Sequence, residues 1–443
     1  MTPEHTHALV VGAGLGGSLM AIFLADMGYR VTLVERRPDP RAKGFIGGRS
    51  INLALSTRGI TALKRADLEA RVLKDAIPMR GRMMHSTLSE LTFQPYSANE
   101  GEAINSVSRG GLNLTLLEAA SERESVTMRF GMRCEGVDLD GAVAHFTDAD
   151  GQPHAISADL IIGADGAFSA VRASMQKTDR FSYSQSYLEH GYKELHIPPT
   201  SDGEFALEPN ALHIWPRGGS MMIALPNADK SFTCTLFWPY AGHHSFDEVE
   251  EMKDVKAFFE QHYPDAVPVM PTLVEDYENN PTSSLVTVRC DPWITPNRKV
   301  ALLGDAAHAI VPFYGQGMNA SFEDARRLAE LLESHDHDIA KALTEYNRER
   351  IPAANAIADM ALDNFIEMRD KVGDPIFLYK KKLEKLLHKR VPGWYTPLYN
   401  LVSFSNVPYD EARERVAAKH RVIGIVLVSI ALFVFLIIYA ILF

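Results

Sequence analysis

The stretch Ala8–Arg36 restricts what this chain can fold into more than any other. An apolar run, Ala8–Val11, is short enough to be a buried strand. It leads directly into GAGLGG, which sets Gly12, Gly14 and Gly17 in G-x-G-x-x-G spacing. A helical stretch follows, with Leu19, Ile22, Phe23 and Met27 apolar and Gly28 closing it; a second apolar run, Val31–Val34, ends at Glu35. Each part has a physical job. Gly12 permits a tight turn, Gly14 lets the backbone approach a pyrophosphate, and Gly17 lets helix pack closely on strand. Free N–H groups at the positive end of the helix would hold the pyrophosphate. Glu35, roughly 20 residues past the turn, is placed to accept from a ribose hydroxyl. Leu15, Arg36 and Arg37 are counted with it on the cofactor edge. Strand, turn, helix and acid in this order predict a dinucleotide-binding βαβ unit.

A chain of 443 residues is too long for one compact core, so two or three domains are expected. A formal charge of −11 argues against nucleic acid as a partner, because binding phosphates needs a basic face. Cys134, Cys234 and Cys290 are odd in number and widely spaced; they suit a reducing compartment and offer neither a disulfide framework nor a metal-ligand spacing. The first strand begins within about seven residues of the N-terminus, which argues against a signal or transit peptide. At the other end, Val422–Phe443 is 22 residues without a charge. At about 1.5 Å per residue this helix would reach roughly 33 Å, enough for a hydrocarbon core. Lys419, His420 and Arg421 precede it, so the positive-inside rule puts the body of the protein in the cytoplasm, on a bacterial inner or mitochondrial outer membrane. A basic stretch, Lys380, Lys381, Lys382, Lys385, Lys389 and Arg390, is either a solvated helix face or a second contact with an anionic surface.

Between these ends, residues 50–75 read as helical in their second half and 112–122 as a helix, and short β-like runs alternate with turns from Val126 to Ala167. Residues 211–238 read as a three-strand meander, with RGGS and ADK as its turns. A face carrying Trp215, Phe232, Phe237 and Trp238 would be able to roof a pocket, and plain core packing is the reading for any one of them singly. Residues 340–420 read as almost wholly helical.

Two further motifs turn the dinucleotide site into a flavin site. DLIIGADGAFSAVR is a strand, a Gly163–Gly166 turn carrying Asp165, and a helix start. VALLGDAAH is another strand running into a turn with Asp305 at its tip, and it continues to Gly315-Gln-Gly-Met-Asn319. A strand-end carboxylate can accept from a ribityl or ribose hydroxyl. A glycine-rich turn can lay main-chain N–H groups against a ring that gains negative charge on reduction. Taken singly, either motif reads equally well as a turn with an N-cap aspartate.

In this order and at these separations the three motifs resemble the single-component FAD-dependent aromatic hydroxylases of the p-hydroxybenzoate hydroxylase fold. Phe45-Ile-Gly-Gly-Arg-Ser-Ile-Asn-Leu-Ala-Leu-Ser-Thr-Arg-Gly59 is similar to the GRSINLALSxRG signature of the kynurenine 3-monooxygenase family within that group, and the resemblance runs over essentially the whole chain. The fold expected is α/β: a Rossmann-like FAD-binding domain (1–180 and 290–345), a β-sheet substrate domain (181–289), a C-terminal helical region (346–421) and a transmembrane helix (422–443). The segment 80–100 of the first part is expected to touch substrate.

The resemblance also implies roles. Arg82 and Tyr96 match residues that bind the substrate carboxylate, Asn364 and Glu367 polar residues at its amino-acid end, and Tyr399 a tyrosine that closes the pocket. Phe313, Tyr314 and Gln316 match the loop between flavin and substrate ring. Arg109, Ala54, Asp165, Asp305, Gly317, Met318 and Asn319 match flavin contacts. Physically, an arginine fork suits a carboxylate, and Asn364 and Glu367 lie on one helical face. The implied reaction belongs to tryptophan breakdown: L-kynurenine is hydroxylated to 3-hydroxy-L-kynurenine through a flavin C4a-hydroperoxide, with FAD, NADPH and O2. No second strand–GxGxxG–helix unit is present, so NADPH is expected to dock transiently. Two other readings stay open. One is a membrane-bound FAD hydroxylase or epoxidase acting on an apolar substrate; the other is a flavin reductase or redox-regulated interaction protein that hydroxylates nothing.

Overall fold

The computed structural model describes residues 2–42, 52–97, 99, 101–368, 379, 382, 384, 386–388, 390–391 and 393–442. The signature residues Phe45–Ile51 and the lysines 380, 381, 385 and 389 lie outside these.

The first three elements form as the sequence predicts: β1 (His7–Val11), α1 (Leu15–Asp26) and β2 (Arg30–Val34). They belong to a five-stranded parallel sheet in the order Val300–Leu302, Leu160–Gly163, β1, β2, Val126–Arg129. Leu9, Val10, Ile161, Ile162 and Ala301 have no exposed surface, as strands covered on both faces require. The chain leaves β1 toward one neighbour and later returns on its other side. The order therefore reverses at β1, and the crevice where such sheets bind ligands opens at its C-terminal end, where the glycine turn sits. Gly16 through Leu24 of α1 are buried in an unbroken run, so this is a core helix without a solvent face.

A seven-stranded sheet forms the second layer, in the order Ser283–Asp291, Ser182–Ile197, Phe232–Pro239, Met221–Pro226, Ala211–Pro216, Gly81–His85, Leu91–Pro95. The meander of residues 211–239 is present, with Gly218 and Gly219 at positive φ in its first turn. The segment 80–100 joins this sheet as the two strands beyond it, placing Arg82 in the sheet rather than in a loop. One expectation is corrected here. Side chains alternate across a strand, so Phe237 packs on one face with Met84, Ile214 and Met221. Trp215, Phe232 and Trp238 pack on the other, against the helices Phe246–Met252, Val255–His262 and Leu273–Asn279. The four aromatics share no face, and only Phe237 looks toward the side where Phe313 lies.

The C-terminal part is mostly helical where described, with Ile339–Ile366, Leu398–Phe404 and Tyr409–Leu442, while 393–397 and 405–408 are turns and links. From Val422 to Ile441 the last helix projects with its apolar side chains exposed, long and apolar enough to cross a membrane. At its base Lys419 Nζ lies 4.7 Å from the Trp394 ring centre and Tyr395 Oη 3.0 Å from His420 Nε2.

Candidate active site

The cofactor groove is built around the turn after β1. Gly12 holds φ +104°, and a Cβ there would sit 2.5 Å from Ala164 O, so only glycine fits. Gly17 comes so close to Gly12 that a Cβ would be 2.0 Å from its carbonyl oxygen. Gly14, the N-cap of α1, is different: a Cβ there meets nothing within 4 Å, because the residue faces the open groove. Three helix N-termini gather at this turn. Leu15 begins α1. A Cβ on Gly16 would touch Ser321, four residues into Gly317–Ser334. Asn113, near the start of Arg109–Ser121, donates to Ala13 O at 3.1 Å. Three helix N-termini near one turn favour an anion there, as a pyrophosphate or a reduced flavin ring would be.

Charged groups line the same groove. Glu35 accepts from Ala13 N at 3.0 Å and from Arg37 N and Nε at 3.0 and 2.7 Å. Burial alone would push its carboxyl up, but Arg37 and these N–H groups hold it below the usual range, so it stays an anion able to accept from a ribose. Arg36 and Arg37 are exposed beside it, and Leu15 is half-buried. Asp305, at the tip of the turn after Val300–Leu302, opens to the groove while protein encloses its other sides. That desolvation pushes its carboxyl up against the pull of His308 and Arg109. Asn319 clamps the flavin-side strand: its amide donates to Ala54 O and Gly315 O, both at 2.8 Å, and its Oδ1 accepts from Ser56 N at 2.9 Å. Gly317 and Met318 lie with it in the first turn of Gly317–Ser334. The Asp165 carboxylate accepts from Ser169 Oγ, Ala170 N and Val171 N at the start of Ala170–Met175, whose N-cap is Ser169. These residues could hold an FAD: backbone N–H groups beside Gly14 suit a pyrophosphate, and Asp305 with residues 317–319 would suit a ribityl chain and a ring edge.

Next to this groove stands an aromatic cage. Arg82 projects from its strand beside Tyr96 and Tyr399, its guanidinium carbon 5.7 and 5.2 Å from their ring centres. Tyr399 stacks on Tyr96 at 5.2 Å and on Tyr314 at 5.6 Å. Burial opposes the charge on Arg82, yet Tyr399, Tyr96 and Glu367 more than offset it and hold the group cationic. Among the described residues, Arg82 Nε is buried without a hydrogen-bond partner. A buried donor left unmade costs roughly 1–3 kcal/mol, which a ligand acceptor would recover. Beyond the tyrosines, Phe313 stacks on Phe365 at 4.1 Å and meets Phe237 edge-on at 4.9 Å. Asn364 donates to Phe313 O at 2.6 Å, so it fixes the loop as well as facing the cage; Glu367 caps the same helix. Gln316 is buried and accepts from Tyr409 Oη at 2.9 Å.

The structure thus gathers Arg82, Tyr96, Tyr314 and Tyr399 in one cage, with Phe313, Asn364 and Glu367 at its edge, and the glycine turn, Glu35, Ala54, Arg109, Asp305 and 317–319 around one groove. The sequence reading missed a buried charge chain behind both. Asp324 accepts from Gly304 N, pairs with His308 Nε2 and accepts from Arg350 Nε at 2.8 Å. Arg350 pairs with Glu323 at 2.9 Å, and Glu323 with Arg58 at 2.7 Å. Arg172 is also buried and ties the two flavin motifs together, donating to Ala306 O and Ala167 O.

A family described as FAD binding domain matches residues 5–361. Kynurenine 3-monooxygenase of Myxococcus xanthus is 49% identical over 401 residues, 90% of this chain and 86% of that one. The enzyme of the same name from Dictyostelium discoideum is 47% identical over 430 residues, 94% and 92% of the two chains. The chain belongs to the kynurenine 3-monooxygenase family. Among solved structures, 2-methyl-3-hydroxypyridine-5-carboxylic acid oxygenase superposes with a TM-score of 0.68 at 21% identity, over 84% of this chain and 95% of the other. The tetracycline destructase Tet(51) gives 0.60 at 18%, over 91% and 99%. These two show the fold alone. Within the kynurenine 3-monooxygenase family, then, the chain has the fold of FAD-dependent oxygenases, with one cofactor groove and one arginine-bearing cage beside it.

Proposed function

We propose that this protein hydroxylates L-kynurenine at the ring carbon ortho to its amine, giving 3-hydroxy-L-kynurenine, with NADPH and O2 as co-substrates. The observation that carries the reading is the cationic Arg82 with its unpartnered Nε inside a tyrosine cage against the cofactor groove. An enclosed guanidinium is costly unless it meets an anion. A carboxylate suits its fork, and the tyrosine hydroxyls can add hydrogen bonds. An epoxidase acting on an apolar substrate would have no use for it. FAD, when bound, supplies the redox chemistry, taking reducing equivalents from NADPH and delivering one oxygen atom of O2. The chain supplies placement. Arg82 and Tyr96 hold the carboxylate, Glu367 and Asn364 face the amino-acid end, and Phe313, Tyr314 and Gln316 set the aniline ring at the groove. Phe365 stacked on Phe313, with Phe237 edge-on to it, keeps water out.

In this reading residues 1–180 and 290–345 form one FAD-binding unit and 181–289 the core of the substrate domain. The helix through Val422–Phe443 anchors the protein in a membrane with its catalytic body on the cytoplasmic side. The test is chromatography and mass spectrometry of products after full-length protein, NADPH and L-kynurenine are mixed in air. A hydroxylated product supports the reading; NADPH consumption without one, whether or not kynurenine is present, favours a reductase.

A further inference from the structure

Tyr409 is the first residue of the helix that carries the apolar tail, yet it lies fully buried against the active-site loop. Its hydroxyl donates to Gln316 Oε1 at 2.9 Å. The Arg58 guanidinium covers its ring at 3.8 Å, and Arg58 donates to Val402 O at 3.2 Å and to Val407 O while pairing with Glu323. Tyr409 is therefore held on its face by a cation that grips the two turns before it, and at its tip by Gln316. Gln316 stands at a junction: Phe313 and Tyr314 of the cage precede it, and Gly317–Asn319 of the cofactor groove follow. It is also the N-cap of Gly317–Ser334, where Ala320 N bonds to its carbonyl at 2.8 Å. Among the described residues its other side-chain partner is Ser56 Oγ, 3.5 Å from both amide atoms and so a weaker hold than the Tyr409 hydroxyl. Packing alone would be satisfied by phenylalanine; the hydroxyl's contribution is to orient Gln316.

We propose that Tyr409 is a positioning residue for hydroxylation: through Gln316 it sets the loop between cage and cofactor, making the base of the C-terminal helix part of the active site. This rests on the proposed function. The test uses full-length protein in detergent: Tyr409→Phe, Gln316→Leu and the double variant, each measured for flavin content, melting temperature, L-kynurenine affinity from the flavin absorbance change, and product formed per NADPH oxidised. In Tyr409→Phe, flavin content should be unchanged, melting should stay within a few degrees and affinity within about twofold. Hydroxylation kcat should fall about three- to tenfold, the range for one neutral hydrogen bond, with NADPH oxidised in excess of product. The double variant should be no worse than Gln316→Leu alone, because Tyr409 acts through Gln316. Unchanged kcat and coupling, losses that multiply in the double variant, or a Tyr409→Phe protein that sheds flavin or melts much lower would each overturn the proposal. If the parent itself made no hydroxykynurenine, it is the proposed function that would fall.

Discussion

Replacing Arg82 with methionine separates the carboxylate-anchor reading from every alternative. Methionine keeps much of the side-chain stem and removes the charged fork that lies beside Tyr96 and Tyr399. Hydrogen bonds to charged groups contribute about 1.5–3 kcal/mol. A carboxylate left in an aromatic cage with only a tyrosine hydroxyl beside it should lie toward the upper part of that range. The fall in kcat/KM should then be at least about tenfold and reach roughly a hundredfold, mostly through weaker binding. Thermal melting should be measured beside it, because removing Arg82 takes a cation away from Glu367. Flavin content should be unchanged, since Arg82 stands on the substrate sheet and not among the helix N-termini of the groove. The assay compares L-kynurenine with its decarboxylated analogue in parent and variant, by titration and steady-state turnover. The parent should bind the analogue poorly, and the variant should bind both about equally. A variant that still discriminates against the analogue as strongly as the parent refutes the assignment.

Gly14→Val should leave the apo fold intact, because its Cβ meets no protein atom within 4 Å, yet strip the flavin by filling the groove; full flavin absorbance would contradict this placement. Truncation before Val422 should release the protein from membranes, read by fractionation after a salt wash; a truncated protein that still sediments with membranes after the wash would count against the apolar helix as the main anchor. His213 is buried beside His85 and hydrogen-bonds to Glu208 O, and burial lowers its pKa to about 4. The folded state therefore binds fewer protons than the unfolded one between pH 6.5 and about 4, so stability contributed by neutral His213 is full above that window and is lost as pH falls through it. The loss is of order 3 kcal/mol, and urea melts of His213→Gln at neutral and acid pH should show a shallower acid-side decline than the parent; identical declines would assign that pH dependence to other groups.

Much of the cofactor groove was legible because its parts are local. Turn, helix and acid from Gly12 to Glu35 are contiguous, and glycine spacing speaks directly about backbone approach. The cage was legible only through the family resemblance. Arg82 comes from a strand, Tyr96 from the bend just after the next strand, Tyr314 from a short 3-10 turn and Tyr399 from a late helix, and no spacing rule joins them. Asp165 shows the converse: strand, glycine and acid form a good motif, but its carboxylate accepts from N–H groups at the start of the helix that follows, a use the motif shares. The four aromatics of residues 211–238 were grouped by proximity in sequence, although the period of two sends Phe237 and Trp238 to opposite faces. The charge chain from His308 to Arg58 left no local signal, since each member pairs with a residue at least fifteen or so positions away, or on another element. Only the inward turn of Glu323 and Asp324 on an otherwise apolar helix face would have exposed it.

The most direct test of the central claim is to run the reaction under oxygen gas enriched in the heavy isotope and to follow NADPH and product together. The account predicts one labelled oxygen atom in the product of L-kynurenine, bound at the carbon ortho to the amine, with close to one NADPH consumed per molecule formed. An unlabelled product, or NADPH oxidised to hydrogen peroxide alone in the presence of saturating L-kynurenine, would contradict it.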